Sequence, residues 1–394
     1  MWIGEEERAL VDEVMGSRYL NRYYGAGPGS PPPMALTLEK EISECFDVPY
    51  ALAVTSGTAA LEVAIAALGI GPGDEVIVPA WSWISCFTAI VRCGARPVLA
   101  EIDDSLCLAP GEIRRLQTPR TKAAMVIHFQ GVPAQLDALA EEARECGVDL
   151  IEDCAQSPGA IYHGRRVGTW GTVGTFSFQH QKTITSGEGG ALVTKDAALF
   201  ERAVRMQDLG LYRPVFETRR KPQDDMFCGG QYRMSELTAA VALAQFRKLD
   251  AIRAHCRNLR RVFDEALGEL PAGITRQHIP DPTGDSSIEM YFMAESAAKA
   301  ETILKRLGND AVNCVAMTGT YAQYNRAYCA KGLAHAPSAS PFNELGPMPA
   351  RGYRAGDFPR TESMIHRLIP LPLGVAYTEY DARWMANALR RSIC

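Results

Sequence analysis

The sequence predicts an α/β protein: a large domain on a mostly parallel sheet, followed by a smaller α+β domain. Three observations carry this. Short apolar, β-rich runs alternate with helical patterns from residue 50 to about residue 200. Those runs are continuously apolar, as expected of strands covered on both faces. At 394 residues the chain also exceeds the usual size of a single domain.

In chain order, residues 5–15 read as a short helix. Residues 23–33, YYGAGPGSPPP, form an irregular Gly/Pro stretch suited to wrapping a surface or reaching a partner. A helix over 36–46 opens the main body. Strands are expected over 50–54, 75–79, 96–102, 123–129 and 148–152, with helices over 58–68, 82–93 and 135–146 between them. A strand over 175–178 leads into a glycine-rich loop, followed by a strand over 191–194 and a helix over 199–207. Residues 234–267 have helical composition throughout and cross toward the second domain. There a strand over 289–294 and helices over 297–307 and 379–391 are expected. Residues 318–359 are rich in Gly, Pro, Ser and aromatic residues with little periodicity, a kind of loop that is often functional. The division is therefore an arm over 1–35, a large domain over 36–250 and a small domain over 251–394.

Composition narrows the function. The net charge of −5 and the lack of a basic run beyond Arg219-Arg220-Lys221 argue against nucleic acid and anionic membranes as partners. Eleven cysteines, scattered and without a Cys-x-x-Cys pair, point to a reducing, cytoplasmic compartment and to no metal site. The acidic start, MWIGEEERALVDEV, lacks the pattern of a signal peptide, and no apolar run reaches the ~20 residues a membrane span needs.

Chemistry-bearing residues gather at the ends of the expected strands. Thr55-Ser56-Gly57-Thr58 closes the first strand and opens a helix, where free amides and the helix dipole suit a phosphate. A plain N-cap is the competing reading. Trp81 and Trp83 follow the second strand, and an indole there can stack on a flat heterocycle or pack in the core. Asp153 and Gln156 follow a buried strand, where the aspartate can face a ligand or cap a turn. Ser177 lies on the strand leading to Lys182, in GTFSFQHQKTITSGEGG (174–190). A lysine on such a loop can form a Schiff base, or be a solvated surface amine. Gln231 and Arg233 open the long helical segment and offer donors to an anion.

These segments together resemble the DegT/DnrJ/StrS family of pyridoxal 5′-phosphate (PLP)-dependent sugar aminotransferases, of fold type I (aspartate-aminotransferase-like). The resemblance rests on TSGTAAL (55–61), GPGDEVIVPAWSW (71–83), IEDCAQ (151–156), the lysine segment, and QYRMSELTAAVALAQFRKLD (231–250). It implies that Lys182 is the Schiff-base lysine and proton carrier, with Asp153 the pyridinium partner and Gln156 beside the ring oxygen. Trp83 would be the stacking ring, and Ser56, Gly57, Thr58 and Ser177 the phosphate contacts. Gln231 stands where the family has an Asn that reaches the neighbouring subunit's cofactor, implying a homodimer with active sites at the subunit interface.

FSFQHQKTITSGEGG further resembles the branch that aminates keto-cyclitols such as scyllo-inosose. Glutamate or glutamine would be the amino donor and a keto-sugar or keto-cyclitol the acceptor. The family's His in the segment matching 320–328 is missing, so His128, Tyr321, Tyr324, Asn325 and Arg326 are the substrate candidates. For His128 a satisfied core histidine is the competing reading. The sugar dehydratases of the family carry His in place of the lysine. An aromatising synthase of the aminohydroxybenzoate type keeps the lysine and remains the alternative. A non-catalytic regulator would show degenerate cofactor residues.

Overall fold

The computed structural model describes residues 2–23, 33–211, 227–286, 288–310, 312, 321–326, 334–335, 340–341 and 352–393. The basic run 219–221, nearly all of 23–33 and most of 318–359 lie outside the described residues.

Helices α1 (Glu5–Ser17) and α2 (Met34–Phe46) precede strand β1 (Tyr50–Val54). Alternation follows: α3 (Gly57–Ala67), β2 (Glu75–Pro79), α4 (Ile84–Arg92), β3 (Arg96–Ala100), α5 (Glu112–Leu116), β4 (Thr121–Ile127), α6 (Leu136–Cys146) and β5 (Asp149–Asp153). A short ribbon, β6 (Ile161–Tyr162) with β7 (Arg165–Arg166), leads to β8 (Val173–Ser177) and β9 (Gly190–Thr194). Then come α7 (Ala197–Gln207), α8 (Glu236–Arg247) and α9 (Leu249–Leu267). The rest comprises β10 (Ile274–Arg276), β11 (Glu289–Ala294), α10 (Ala297–Asn309), α11 (Pro359–Ile365), β12 (Leu368–Pro372) and α12 (Glu379–Ile393).

The main sheet has seven strands in the order β1-β9-β8-β5-β4-β2-β3. All neighbours pair in parallel except at β9, which runs antiparallel to β1 and β8. The other six strands therefore deliver their carboxyl ends to one edge. The strands are continuously apolar because helices cover both faces, and β2, β8 and β9 are buried at every residue. No described helix is long and apolar enough to cross a membrane.

A second, antiparallel sheet, β10-β11-β12, packs with α10 and α12 around its own core of Phe263, Met290, Phe292, Ile369, Leu371 and Leu389. Helix α9 joins the two cores. Its Leu249, Ile252 and Cys256 pack in the first, and Leu259, Val262 and Leu267 in the second. The helical stretch expected over 234–267 is two helices, α8 and α9, meeting at Lys248. No Gly or Pro marks that break in the sequence. Lys248 is tied there by its ammonium, which reaches Glu7 at 2.7 Å and the Trp2 carbonyl at 3.0 Å.

A buried ion pair helps anchor the segment before the main body. Arg22 donates to Glu39 at 2.5 Å and to the Ala53 carbonyl on β1 at 2.9 Å, while Glu39 accepts from the Ala53 amide at 2.7 Å. Burial pushes the Glu39 carboxyl up and Arg22 holds it down. Arg22→Ala strands a buried carboxylate and is expected to cost about 3–5 kcal/mol of stability. Loss of the exposed Arg8–Glu5 pair should cost under about 1 kcal/mol. Urea midpoints of the two variants check the contrast, and equal shifts would contradict it.

Candidate active site

The strand carboxyl ends enclose a cavity of about 190 Å³. Its floor follows from strand register. Ile127 on β4 pairs with Asp153 on β5, Asp153 pairs with Thr175 on β8, and all three line the cavity. Ser56, Gly57 and Thr58 enter after β1, Trp83 after β2, and Lys182 from the loop between β8 and β9.

Glycines bring these elements together. A Cβ on Gly57 would stand 2.7 Å from the Ser177 Cβ, and one on Gly190 would stand 2.4 Å from the Ser56 carbonyl oxygen. Only bare backbone lets α3 start against the ends of β8 and β9. Ser56 is in extended conformation, and its hydroxyl accepts from the Ala59 amide at 3.0 Å, so it is the N-cap of α3. The amides of Gly57 and Thr58 have no intrahelical acceptor and open onto the cavity, flanked by the Ser177 hydroxyl. The Thr58 hydroxyl donates to Ser85 at 2.9 Å. This corner suits a phosphate group.

Lys182 is fixed by a knotted loop. Its amide donates to the Gln179 carbonyl at 2.9 Å, the Ser186 amide to the Phe178 carbonyl at 2.9 Å, and the Thr185 hydroxyl to the same carbonyl at 3.1 Å. Gly187 takes φ +82°, which closes the turn. Burial pushes the Lys182 amine below the ordinary lysine value of 10.5, while Asp153 and Cys86 oppose the shift. Asp153 is itself held at both oxygens. Oδ1 accepts from the Ala155 amide at 2.9 Å, and Oδ2 accepts from the Cys86 thiol at 3.1 Å.

Trp83 is 43% exposed on the cavity, whereas Trp81 is buried and packs on Phe129 and Tyr321. Gln156 lines the cavity, its Oε1 accepting from the Gln130 amide at 3.0 Å. Tyr321 lines it too, and its hydroxyl lies 3.4 Å from the Gln130 side-chain Nε2.

Three substrate candidates are corrected. His128 is fully buried, its Nδ1 accepting from the Ala134 amide at 3.1 Å and its Nε2 lying 3.1 Å from Glu152. That carboxylate also collects the amides of Gly168, Trp170 and Gly171, so His128 belongs to an interior network. Tyr324 is buried against Phe358, and Arg326 is half-buried; neither lines the cavity. The side chain of Asn325 lies outside the described residues. Gln231 is exposed, bridges Asp208 through its backbone, and does not line its own chain's cavity. Sequence reasoning missed Cys86, Ser85 and Gln130, and also Glu289, which lines an adjoining cavity.

After hydroxylamine treatment to strip any carbonyl compound from the site, acetic anhydride labelling of Lys182 should titrate below pH 10.5. Asp153→Asn should lower that midpoint further, because the carboxylate favours the charged amine. Peptide mass spectrometry across pH reads both, and a midpoint raised by Asp153→Asn would contradict the arrangement.

Residues 3–390 match the profile of the DegT/DnrJ/EryC1/StrS aminotransferase family. An L-glutamine:2-deoxy-scyllo-inosose aminotransferase of Micromonospora echinospora is 41% identical over 233 residues, which is 58% of this chain and 56% of that protein. The match thus spans little more than half the length of that relative. Among solved structures, 3-amino-5-hydroxybenzoic acid synthase superposes with a TM-score of 0.81 at 28% identity, covering 99% of this chain and 97% of the other. TlmJ, an aminotransferase of Streptoalloteichus hindustanus, gives 0.79 at 27%, covering 99% and 96%. The sheet order, the cavity at the strand ends and the fold type I neighbours agree with the profile match, and the chain belongs to the DegT/DnrJ/EryC1/StrS aminotransferase family.

Proposed function

We propose that the protein is a PLP-dependent aminotransferase that moves the amino group of glutamine or glutamate onto a keto-cyclitol. The observation that carries this is the meeting of Lys182, Asp153 and the α3 N-terminus in one cavity.

The residues fit the cofactor. The corner at Gly57, which has no room for a Cβ, offers open amides and the Ser177 hydroxyl to the phosphate. Trp83 offers an exposed indole face to the ring, and Asp153 a carboxylate to the pyridinium nitrogen. Gln156 would reach the ring oxygen. When bound, PLP supplies an electron sink for the carbanion formed at the donor's α-carbon.

Lys182 then has two tasks. Its Nζ would hold the cofactor at rest and, when free, would take the proton from the donor's α-carbon. A buried amine with a depressed pKa is neutral more often near pH 7, as a base must be. In the second half-reaction the same Nζ moves a proton in the opposite sense. The net exchange is the donor's amino group for the acceptor's ketone oxygen. Asp153, its two oxygens accepting from Cys86 and Ala155, would offer its carboxylate to the cofactor's ring nitrogen.

The keto-cyclitol acceptor is supported by the 41% identity to a 2-deoxy-scyllo-inosose aminotransferase. The 28% identity to the hydroxybenzoate synthase is weaker support for the aromatising alternative. The exposed place of Gln231, away from its own cavity, supports a homodimer in which it reaches the partner copy's cofactor.

Protein purified with PLP should absorb in the visible range, and borohydride should fix a pyridoxyl group on the peptide carrying Lys182. Lys182→Ala should lose transamination by about 10³-fold or more, since tether and proton carrier go together. Full turnover in that variant would overturn the mechanism. Glutamine with scyllo-inosose, followed by mass spectrometry of the product, tests the acceptor. An aromatic product would favour the synthase reading.

A further inference from the structure

A second cavity, of about 270 Å³, adjoins the first and shares Lys182, Gln156 and Tyr321 with it. Its far wall comes from the small sheet, where Glu289 opens β11. Among the described lining residues the only charged side chains are Lys182 and Glu289, and none is an arginine. A site that binds a phosphate or carboxylate needs cationic or amide donors aimed at it. Here the far wall places a carboxylate, and Lys182 is the one cation among the described lining residues, with the side-chain amide of Gln130 and the hydroxyl of Tyr321 beside it.

Glu289 has acceptor capacity to spare. Its Oε2 accepts from the Tyr291 hydroxyl at 3.1 Å, and its Oε1 accepts nothing from the described residues. The titratable groups around it are Tyr291 on its own strand, Tyr321 from the segment bridged to Trp81, and Lys182 from the β8–β9 loop. Burial pushes the Glu289 carboxyl up to about 7, the Tyr291 hydrogen bond opposing. Glu289 is half-buried, and a carboxylate oxygen partly withdrawn from water gains from a donor that meets it. No described residue donates to Oε1, so a ligand's hydroxyl entering this cavity can meet it.

We propose that this cavity is the acceptor subsite and that Glu289 is its specificity-determining residue, accepting hydrogen bonds from the hydroxyls of a neutral cyclic polyol ketone and disfavouring phosphorylated or carboxylated acceptors. The inference rests on the aminotransferase reading above and adds the residue that selects the acceptor. Two effects contribute. Above about pH 7, where the Glu289 carboxyl is ionised, it accepts charge-assisted hydrogen bonds, stronger than neutral ones. The same charge repels an anion, and no arginine among the described lining residues offsets it.

The test measures the two half-reactions separately through the cofactor's visible band. Donor conversion is followed with glutamine, and acceptor conversion with scyllo-inosose or with its monophosphate. Glu289→Gln should weaken kcat/KM for scyllo-inosose by about 10- to 100-fold, mainly through KM, as loss of a hydrogen bond to a charged group implies. The fall should exceed any change in the donor half-reaction by at least about tenfold, and the preference for the neutral ketone over its monophosphate should narrow. Glu289→Asp, which keeps the charge, should retain part of that preference, and its melting temperature guards against misfolding. Equal losses in both half-reactions, or an unchanged neutral-to-phosphorylated ratio in Glu289→Gln, would overturn the proposal while leaving the aminotransferase reading intact. Wild-type protein that converts glutamine but neither ketone would instead sink the acceptor reading and this inference with it.

Discussion

The site depends on how closely the start of α3 approaches the ends of β8 and β9. The contact is backbone against backbone and short side chain, and it leaves no space for a methyl group at Gly57 or Gly190. Its consequence is electrostatic. The approach sets the open amides of α3 beside Ser177 and on the same cavity as Lys182, so an anion bound at the helix end lies near the amine. Strand pairing fixes the other members. β5 sits between β4 and β8 in parallel register, so Asp153 can shift relative to Ile127 and Thr175 only if the ladder itself shifts. The geometry of the chemistry is thus inherited from the sheet.

Within that frame the charges balance unequally. Lys182 feels burial, which favours its neutral form, and Asp153, which favours the charged form; burial is the larger effect. Both oxygens of Asp153 already accept a hydrogen bond, Oδ1 from the Ala155 amide and Oδ2 from the Cys86 thiol. Cys86 is suited to this. Burial and the neighbouring Asp153 both push its thiol well above the ordinary value, so it stays a neutral donor. A hydroxyl there would donate more strongly, and an apolar residue would leave Oδ2 free to turn toward Lys182.

Much of this was legible in the chain. Lys182, Asp153, Thr58 and Trp83 follow apolar runs that read as strands, and the ends of parallel strands share an edge. What stayed hidden had physical causes. Cys86 lies in the first turn of an amphipathic helix, where a thiol looks like ordinary core. His128 was a candidate because it follows a strand end, yet side chains alternate across a strand. Ile127 faces the cavity, so His128 faces the other way, toward Glu152. The same alternation separates Glu152, satisfied by backbone amides, from Asp153, which meets the cavity. The break at Lys248 was invisible because it arises from a side chain bonded to α1, far off in sequence.

Glu289 was beyond reach for a different reason. It belongs to a second sheet built on its own core, and its place beside Lys182 follows from tertiary packing alone. Position along the chain carries no hint of it. That separation divides the labour of the site. The groups suited to chemistry are spaced by the ladder of one sheet, while the carboxylate on the far wall is carried by another, joined to the first through α9. A substitution in the small sheet can therefore alter what the far wall accepts without disturbing the register between Asp153 and Thr175. Selectivity can change in such a protein while the spacing of lysine, carboxylate and phosphate corner stays as the main sheet sets it.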